Sequence, residues 1–289
     1  GKDSLSMAAN MIGPDGSTHV VKAPAELVIG MYAPMPDITC KVTADLKKPG
    51  NALLYVDLGI GKCRLGGSAL AQVLKQVGDE CPDIEDPELL KRTFVAVQEL
   101  VEQRLLASAH DVSDGGFIGA LLEMAFAGNV GLEVELPNVT APIAVLFHEE
   151  LGVILEAENA DAVTKLLLQR QVPVRRIGSI GQPGGRILIK CNGAAVLDEP
   201  MADLRALWEA TSAALDKLRT NPACVEEESR VGATVTTPPP YRLTFEPECT
   251  PSALLVAREK PKVAVVRERG SNGDREMAGA FYLAGFEVW

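Results

Sequence analysis

Apolar and polar positions change period several times along the 289 residues. HVVKAPAELVIGMY (residues 19–32) holds two short apolar, β-branched runs around a proline, the pattern of strands at a sheet edge. CKVTADL (40–46) and ALLYVDL (52–58) predict two more strands, parted by the turn signal Lys48-Pro49-Gly50-Asn51. From Ser68 to Val77 the apolar residues fall at 70, 73, 74 and 77, which is a helical stripe behind Gly66-Gly67. Residues 87–106 carry the clearest helix, with Leu90, Phe94, Val97, Val101 and Leu105 on one face and Pro87 in the first turn.

A helix follows from about Gly116 to Ala127, stopped at Gly128. Strands are expected at 130–136 and 151–157, a helix at 161–171, a late strand pair in VRRIGSIG (174–181) and RILIKCNG (186–193), and a helix at 201–219. Paired strands and helices mix without strict β-α-β alternation, so the fold class is α+β. Residues 220–261 differ: TTPPPY, PEC and TPS with little apolar periodicity predict a linker. From Lys262, KVAVV predicts a buried strand, RERGSNG a turn, DREMAGAFYLAG a helix ending at Gly285, and FEVW the next strand. That is the β-α-β opening of a doubly wound domain.

Composition narrows the function. The chain is 47% apolar and 23% charged, as a globular domain should be, and its net charge of −11 argues against a nucleic-acid or anionic-membrane partner. A single nucleotide is still admissible, because one site can be locally positive or bridged by a metal. The six cysteines form no C-x-x-C, so neither a zinc site nor a disulfide framework is suggested, and a reducing cytoplasmic setting is expected. Asn138-Val139-Thr140 matches a glycosylation sequon by chance, in the absence of any recognised signal segment. No apolar run reaches the roughly 18 residues of a membrane span. The opening Gly-Lys-Asp-Ser and the closing strand-like FEVW give the expectation of a piece of a longer chain.

The stretch richest in chemistry is AHDVSDGGF (109–117), where a strand hands over to a helix. Asp111 and Ser113 alternate by two and so face one way at the strand end. A carboxylate is a hard ligand suited to Mg²⁺, a hydroxyl can donate to a phosphate oxygen, and Gly115 and Gly116 let a ligand approach a helix N-terminus. The alternative is helix capping by Ser113 or Asp114, and spacing alone leaves the two evenly matched. Capping leaves Asp111 unexplained. One carboxylate holds Mg²⁺ insecurely, so further acidic ligands are expected from outside this chain or far along it. DLGIGKCRLGGS (57–68) fails the P-loop pattern, since Cys63 follows Gly61-Lys62 and Val56 stands at the upstream glycine. Ser68 is read first as a cap. Gly1-Lys2-Asp3-Ser4 offers Lys2 as a weaker phosphate contact. His148-Glu149-Glu150 lacks a second zinc histidine and is assigned to the surface or to packing, and His110 to a structural role.

GKDSLSM (1–7), RLGGSALAQ, AHDVSDGGFIGALLEMAFAG and VAVVRERGSNGDREMAGAF, in that order, resemble the large single-chain phosphoribosylformylglycinamidine synthases (formylglycinamide ribonucleotide amidotransferases) of purine biosynthesis. D-x-S-D-G-G occurs also in aminoimidazole ribonucleotide synthetase and selenophosphate synthetase; the GSNGDRE unit behind a linker is what singles out the amidotransferases. The resemblance implies that residues 1–35 end the first half of the second synthetase repeat, an aminoimidazole-ribonucleotide-synthetase-like unit. Residues 36–219 would be its second half, 220–261 a linker, and 262–289 the start of a class I glutaminase domain. It further implies Asp111 as a Mg²⁺ ligand, Ser113 as an ATP or ADP phosphate contact, and the substrates formylglycinamide ribonucleotide, glutamine and ATP. Association with other purine-pathway enzymes belongs to the same expectation. No catalytic residue is expected within the chain, and the resemblance leaves open whether the nucleotide serves structure or turnover. A stand-alone Mg-nucleotide-binding module and a related synthetase without glutaminase are the alternatives.

Overall fold

The computed structural model describes residues 8–22, 30–78, 80–232, 242–246 and 248–289. Two compact units divide between Val235 and Thr236. In the first, β1 (Ala8–Ile12) and β2 (Thr18–Lys22) form an antiparallel hairpin. The main sheet takes β3 (Ala52–Asp57), β4 (Ser108–Asp111), β5 (Val130–Leu136), β6 (Gly152–Ala157), β7 (Arg175–Pro183), β8 (Arg186–Cys191) and β9 (Ala194–Pro200). Its helices are α1 (Ala69–Val73), α2 (Pro87–Glu102), α3 (Gly116–Gly128), α4 (Pro142–Phe147), α5 (Ala160–Gln169), α6 (Met201–Arg219) and α7 (Pro222–Gly232).

The strand order is β4-β6-β3-β7-β5-β8-β9, antiparallel except for the parallel β5–β8 pair. β3 has no polar face because both sides are covered. Leu53 and Tyr55 enter one core with Phe117, Leu121 and Met124 of α3 and Met201 of α6. Leu54 and Val56 enter the other with Leu89, Ala96 and Leu100 of α2 and Val163 and Leu167 of α5. Gly128 ends α3 against the chain before β3: a Cβ there would stand 2.3 Å from the Leu46 carbonyl oxygen. The cap itself is Asn129, at φ +53°.

Several expectations are corrected. Residues 40–46 make one bridge, Thr43 to Ser108, and no strand. Thr43 Oγ1 donates to Asp45 and accepts from Lys47 Nζ, and Leu46 N turns away to the Met124 carbonyl, so local bonds outcompete the ladder. The helix expected over 68–77 stops at Val73, because Lys75 turns left-handed at φ +56° and Gly67 N captures the Val77 carbonyl. The buried stripe of α2 is Leu89, Thr93, Ala96 and Leu100, one position off the expected face, and Phe94 is 66% exposed. β7 and β8 are not partners: β5 lies between them. The edge strand β9 and the short α4 carried no legible period. α7 falls within the segment expected as linker and buries Val225. Of residues 19–32, only 19–22, the last four residues of β2, are strand among the described residues.

The second unit holds α8 (Ser252–Leu255), β10 (Lys262–Val263), α9 (Asp274–Leu283) and β11 (Glu287–Val288). β10 and β11 are parallel with α9 between them, the expected β-α-β order. β10 is shorter than KVAVV and partly covered, since it pairs with one neighbour and Val266 faces solvent.

Candidate functional site

β3 and β4 both run antiparallel to β6, which lies between them, so their C-terminal ends emerge at one edge of the sheet. Asp57 pairs with Gly152 and Asp111 with Val153, the first residues of β6. Beyond each aspartate comes a glycine-containing turn and then a helix, α1 or α3. His148-Glu149-Glu150 arrives at this same edge just before β6 begins.

Asp111 ends β4 with its side chain 74% exposed. Val112 keeps the extended course, donating to the Gly152 carbonyl at 2.9 Å, and is buried, while Ser113 is exposed like Asp111. The alternation read from sequence is therefore what the chain adopts. His110 lies between two carboxylates: its Nδ1 is 3.3 Å from Asp111 Oδ1 and its Nε2 is 3.2 Å from Glu123 Oε2.

Capping by Ser113 or Asp114, the rival explanation of the motif, is overturned. Gly115 stands at the N-cap of α3 with no side-chain cap. Its amide donates instead to Glu149 Oε1 at 3.0 Å, and the Gly116 amide closes a turn onto the Ser113 carbonyl at 2.9 Å. Both amides thus have internal acceptors. The glycines themselves answer to the backbone: Gly115 has φ +85° and Gly116 φ +77°. A Cβ on Gly116 would lie 2.6 Å from the Phe147 carbonyl carbon. Ser68 does cap α1, accepting from Ala71 N at 3.2 Å. Lys2 lies outside the described residues.

The packing role expected of His148-Glu149-Glu150 holds, and its hydrogen bonds make the segment a hub. Glu149 Oε1 accepts from Ala69 N at 2.8 Å as well as from Gly115 N, so one oxygen joins the first turn of α1 to the cap of α3. Glu150 is fully buried and takes a two-pronged contact from Arg64: Nε to Oε1 and Nη2 to Oε2, each 2.7 Å. The Arg64 amide adds a bond to Glu150 Oε1 at 3.1 Å, and Nη1 reaches Glu85 at 2.8 Å. Burial alone would raise the Glu150 pKa, but the Arg64 bonds and charge outweigh it and hold the carboxyl below its ordinary value. His148 is buried against Phe117, and burial pushes its pKa down despite the nearby Asp57 and Glu150 carboxylates, leaving the ring neutral at pH 7. Their partners were not legible, because a helix cap and an ion pair across 86 positions leave no period in the sequence. The one signal was two acids placed directly before an apolar strand.

Among the described residues, no group of three or more His, Cys, Asp or Glu side chains is arranged to enclose a metal. Asp111 offers one exposed carboxylate, which suits an ion that keeps its waters and shares phosphate oxygens.

Residues 48–190 match the family of AIR synthase related protein, C-terminal domain. The whole chain aligns with phosphoribosylformylglycinamidine synthase of Homo sapiens at 49% identity, covering 22% of that protein. It aligns at 48% with a probable phosphoribosylformylglycinamidine synthase, chloroplastic/mitochondrial, of Arabidopsis thaliana (20% covered) and at 42% with the synthase of Dictyostelium discoideum (23% covered). The chain therefore spans about a fifth of the length of these relatives. Thermotoga maritima PurL, solved in complex with FGAR, shares the fold at a TM-score of 0.50 and 18% identity, over 58% of this chain and 30% of that one. Over its whole length the chain is similar to the phosphoribosylformylglycinamidine synthases, and its residues 48–190 match the AIR synthase related C-terminal domain.

Proposed function

We propose that the chain is part of an ATP-dependent amidotransferase ligase that converts formylglycinamide ribonucleotide and glutamine to formylglycinamidine ribonucleotide. Its own contribution is a Mg-nucleotide site at Asp111 and Ser113. The observation that carries this is the exposed Asp111–Ser113 pair, free of capping duty, at the sheet edge where two glycine turns meet. Residues 36–219 act as the second half of a synthetase repeat that residues 1–35 precede. Residues 220–261 connect it to 262–289, the opening of a glutaminase domain, and the β-α-β order of the second unit supports that assignment. The setting is the reducing cytoplasm, in keeping with six unpaired cysteines.

Asp111 would hold Mg²⁺ through its carboxylate, and the Ser113 hydroxyl would donate to a phosphate oxygen of ATP or ADP. Bound there, the ion offsets phosphate charge that a chain of net charge −11 would otherwise repel. In the whole ligase an amide oxygen is a poor leaving group until it is phosphorylated, after which ammonia can displace it. The chain's residues position a nucleotide; they neither release ammonia nor complete that transfer. Titration of ADP into the 289-residue chain with MgCl₂ tests the site: Asp111→Asn and Ser113→Ala should each weaken binding at least tenfold with little change in melting temperature. Wild-type affinity in both variants refutes the assignment, and glutamine-dependent ADP release by the isolated chain refutes the division of labour.

A further inference from the structure

The Gly115 amide at the cap of α3, where a phosphate would be sought, already donates to a carboxylate. The same Glu149 oxygen accepts from Ala69 N at 2.8 Å and Gly115 N at 3.0 Å, and Glu149 is half-buried between the turns it joins. Next to it, Glu150 grips the start of the 64–68 loop through Arg64. Two adjacent acids therefore fix one glycine turn at both ends, and only Glu149 extends the grip to the turn that bears Asp111 and Ser113.

We infer that Glu149 is a positioning and specificity-determining residue of the nucleotide site. It sets the Ser113–Asp111 turn, and its charge at the cap of α3 makes nucleotide binding depend on a divalent cation. This inference rests on the nucleotide reading above. An oxygen shared by two amides from separate turns couples their positions, so its loss frees the Gly115 turn. A carboxylate at a helix N-terminus also neutralises the partial positive charge there, so phosphate meets a like charge rather than a dipole. With the metal bound, that repulsion is offset; without it, nothing at this cap attracts the anion. Glu149 touches no substrate in this account and acts through Gly115 and Ser113.

Two variants separate the tie from the charge. Glu149→Gln keeps an oxygen that can accept both amides and removes the charge; Glu149→Ala removes both. ADP affinity is measured for the 289-residue chain with MgCl₂ and with EDTA, and amide hydrogen exchange at Ala69 and Gly115 is followed in parallel. Wild type should bind ADP only with Mg²⁺ and protect both amides. Glu149→Gln should keep the protection, gain at least fivefold in metal-free ADP affinity and lose part of its Mg²⁺ dependence. Glu149→Ala should exchange Gly115 at least tenfold faster and bind Mg·ADP more weakly. An unchanged ratio of metal-bound to metal-free affinity in Glu149→Gln overturns the charge role, a ratio that loss of structure alone would not restore. Unaltered exchange in Glu149→Ala overturns the tie. If no variant binds ADP under any condition, the nucleotide reading falls and the charge role with it, while fast Gly115 exchange in Glu149→Ala still upholds the tie.

Discussion

Arg64→Met is the perturbation that most directly weighs the hub. It keeps the apolar stem and removes three hydrogen bonds to carboxylates: two to Glu150 at 2.7 Å and one to Glu85 at 2.8 Å. Glu150 is 0% exposed and Arg64 12%, so water cannot take the guanidinium's place without opening the site. Removing one partner of a buried pair strands the other charge and costs about 3–5 kcal/mol. For a unit of this size that is a fall in melting temperature of roughly 6–20 °C. Urea unfolding at pH 7 measures it, with Arg186→Met as control. The Arg186–Asp198 pair is about half exposed on both sides and should contribute under about 1 kcal/mol. The pH dependence carries a sign. In wild type the folded Glu150 pKa lies below its ordinary 4.5, so its contribution is full above that value and is lost as pH falls through the folded pKa. In Arg64→Met only the residue-64 amide and His148 still counter burial, so the folded pKa rises and protonation relieves the stranded charge. The penalty should therefore shrink between pH 7 and about pH 4. A loss below about 1 kcal/mol at pH 7, or a penalty that grows on acidification, refutes the reasoning.

Gly116→Ala should destabilise by more than the roughly 1–2 kcal/mol of a left-handed alanine, because its Cβ would meet the Phe147 backbone at 2.6 Å; calorimetric melting checks this. Leu100→Ala should cost about 2–5 kcal/mol in urea unfolding, while Phe94→Ser stays within about 0.5 kcal/mol, since Leu100 is fully buried and Phe94 faces solvent. Asp86→Ala should cost about 1 kcal/mol, because Asp86 accepts from Leu89 N at 3.0 Å at the start of α2.

The sequence made legible what short-range order specifies. ALLYVD, VGLEVEL and GVILEA are strands because their apolar runs are covered on one face or both, and the helices at 87–102, 116–128 and 160–169 follow their periods. What escaped was decided by partners far along the chain. The stripe of α2 sits one position off because Leu89 and Leu90 serve a helical repeat equally well, and only the fit to α5 and β3 selects between them. VRRIGSIG and RILIKCNG look like a hairpin until β5 takes the place between them, a matter of sheet order that alternation does not encode. The common direction of Asp111 and Ser113 was legible, because extended backbone through the buried Val112 puts both on the exposed side.

The glycine pair shows where reading a motif as a ligand cradle goes astray. Gly115 and Gly116 were expected to bare backbone amides to phosphate, and the dipole argument is sound for an open helix end. Here the amides are used by Glu149 and the Ser113 carbonyl, and the missing side chains are required by positive φ and by the Phe147–His148 backbone. The same residues thus keep their place in the motif for a different reason. Glycine allows α3 to start hard against the segment that carries Glu149, and Glu149 returns the contact by holding both turns. At this edge Asp111, Ser113 and Asp114 remain exposed, and the nucleotide site proposed above uses the first two. That is why a substitution at Gly116 should disturb nucleotide affinity only through the position of Ser113, in step with its loss of stability.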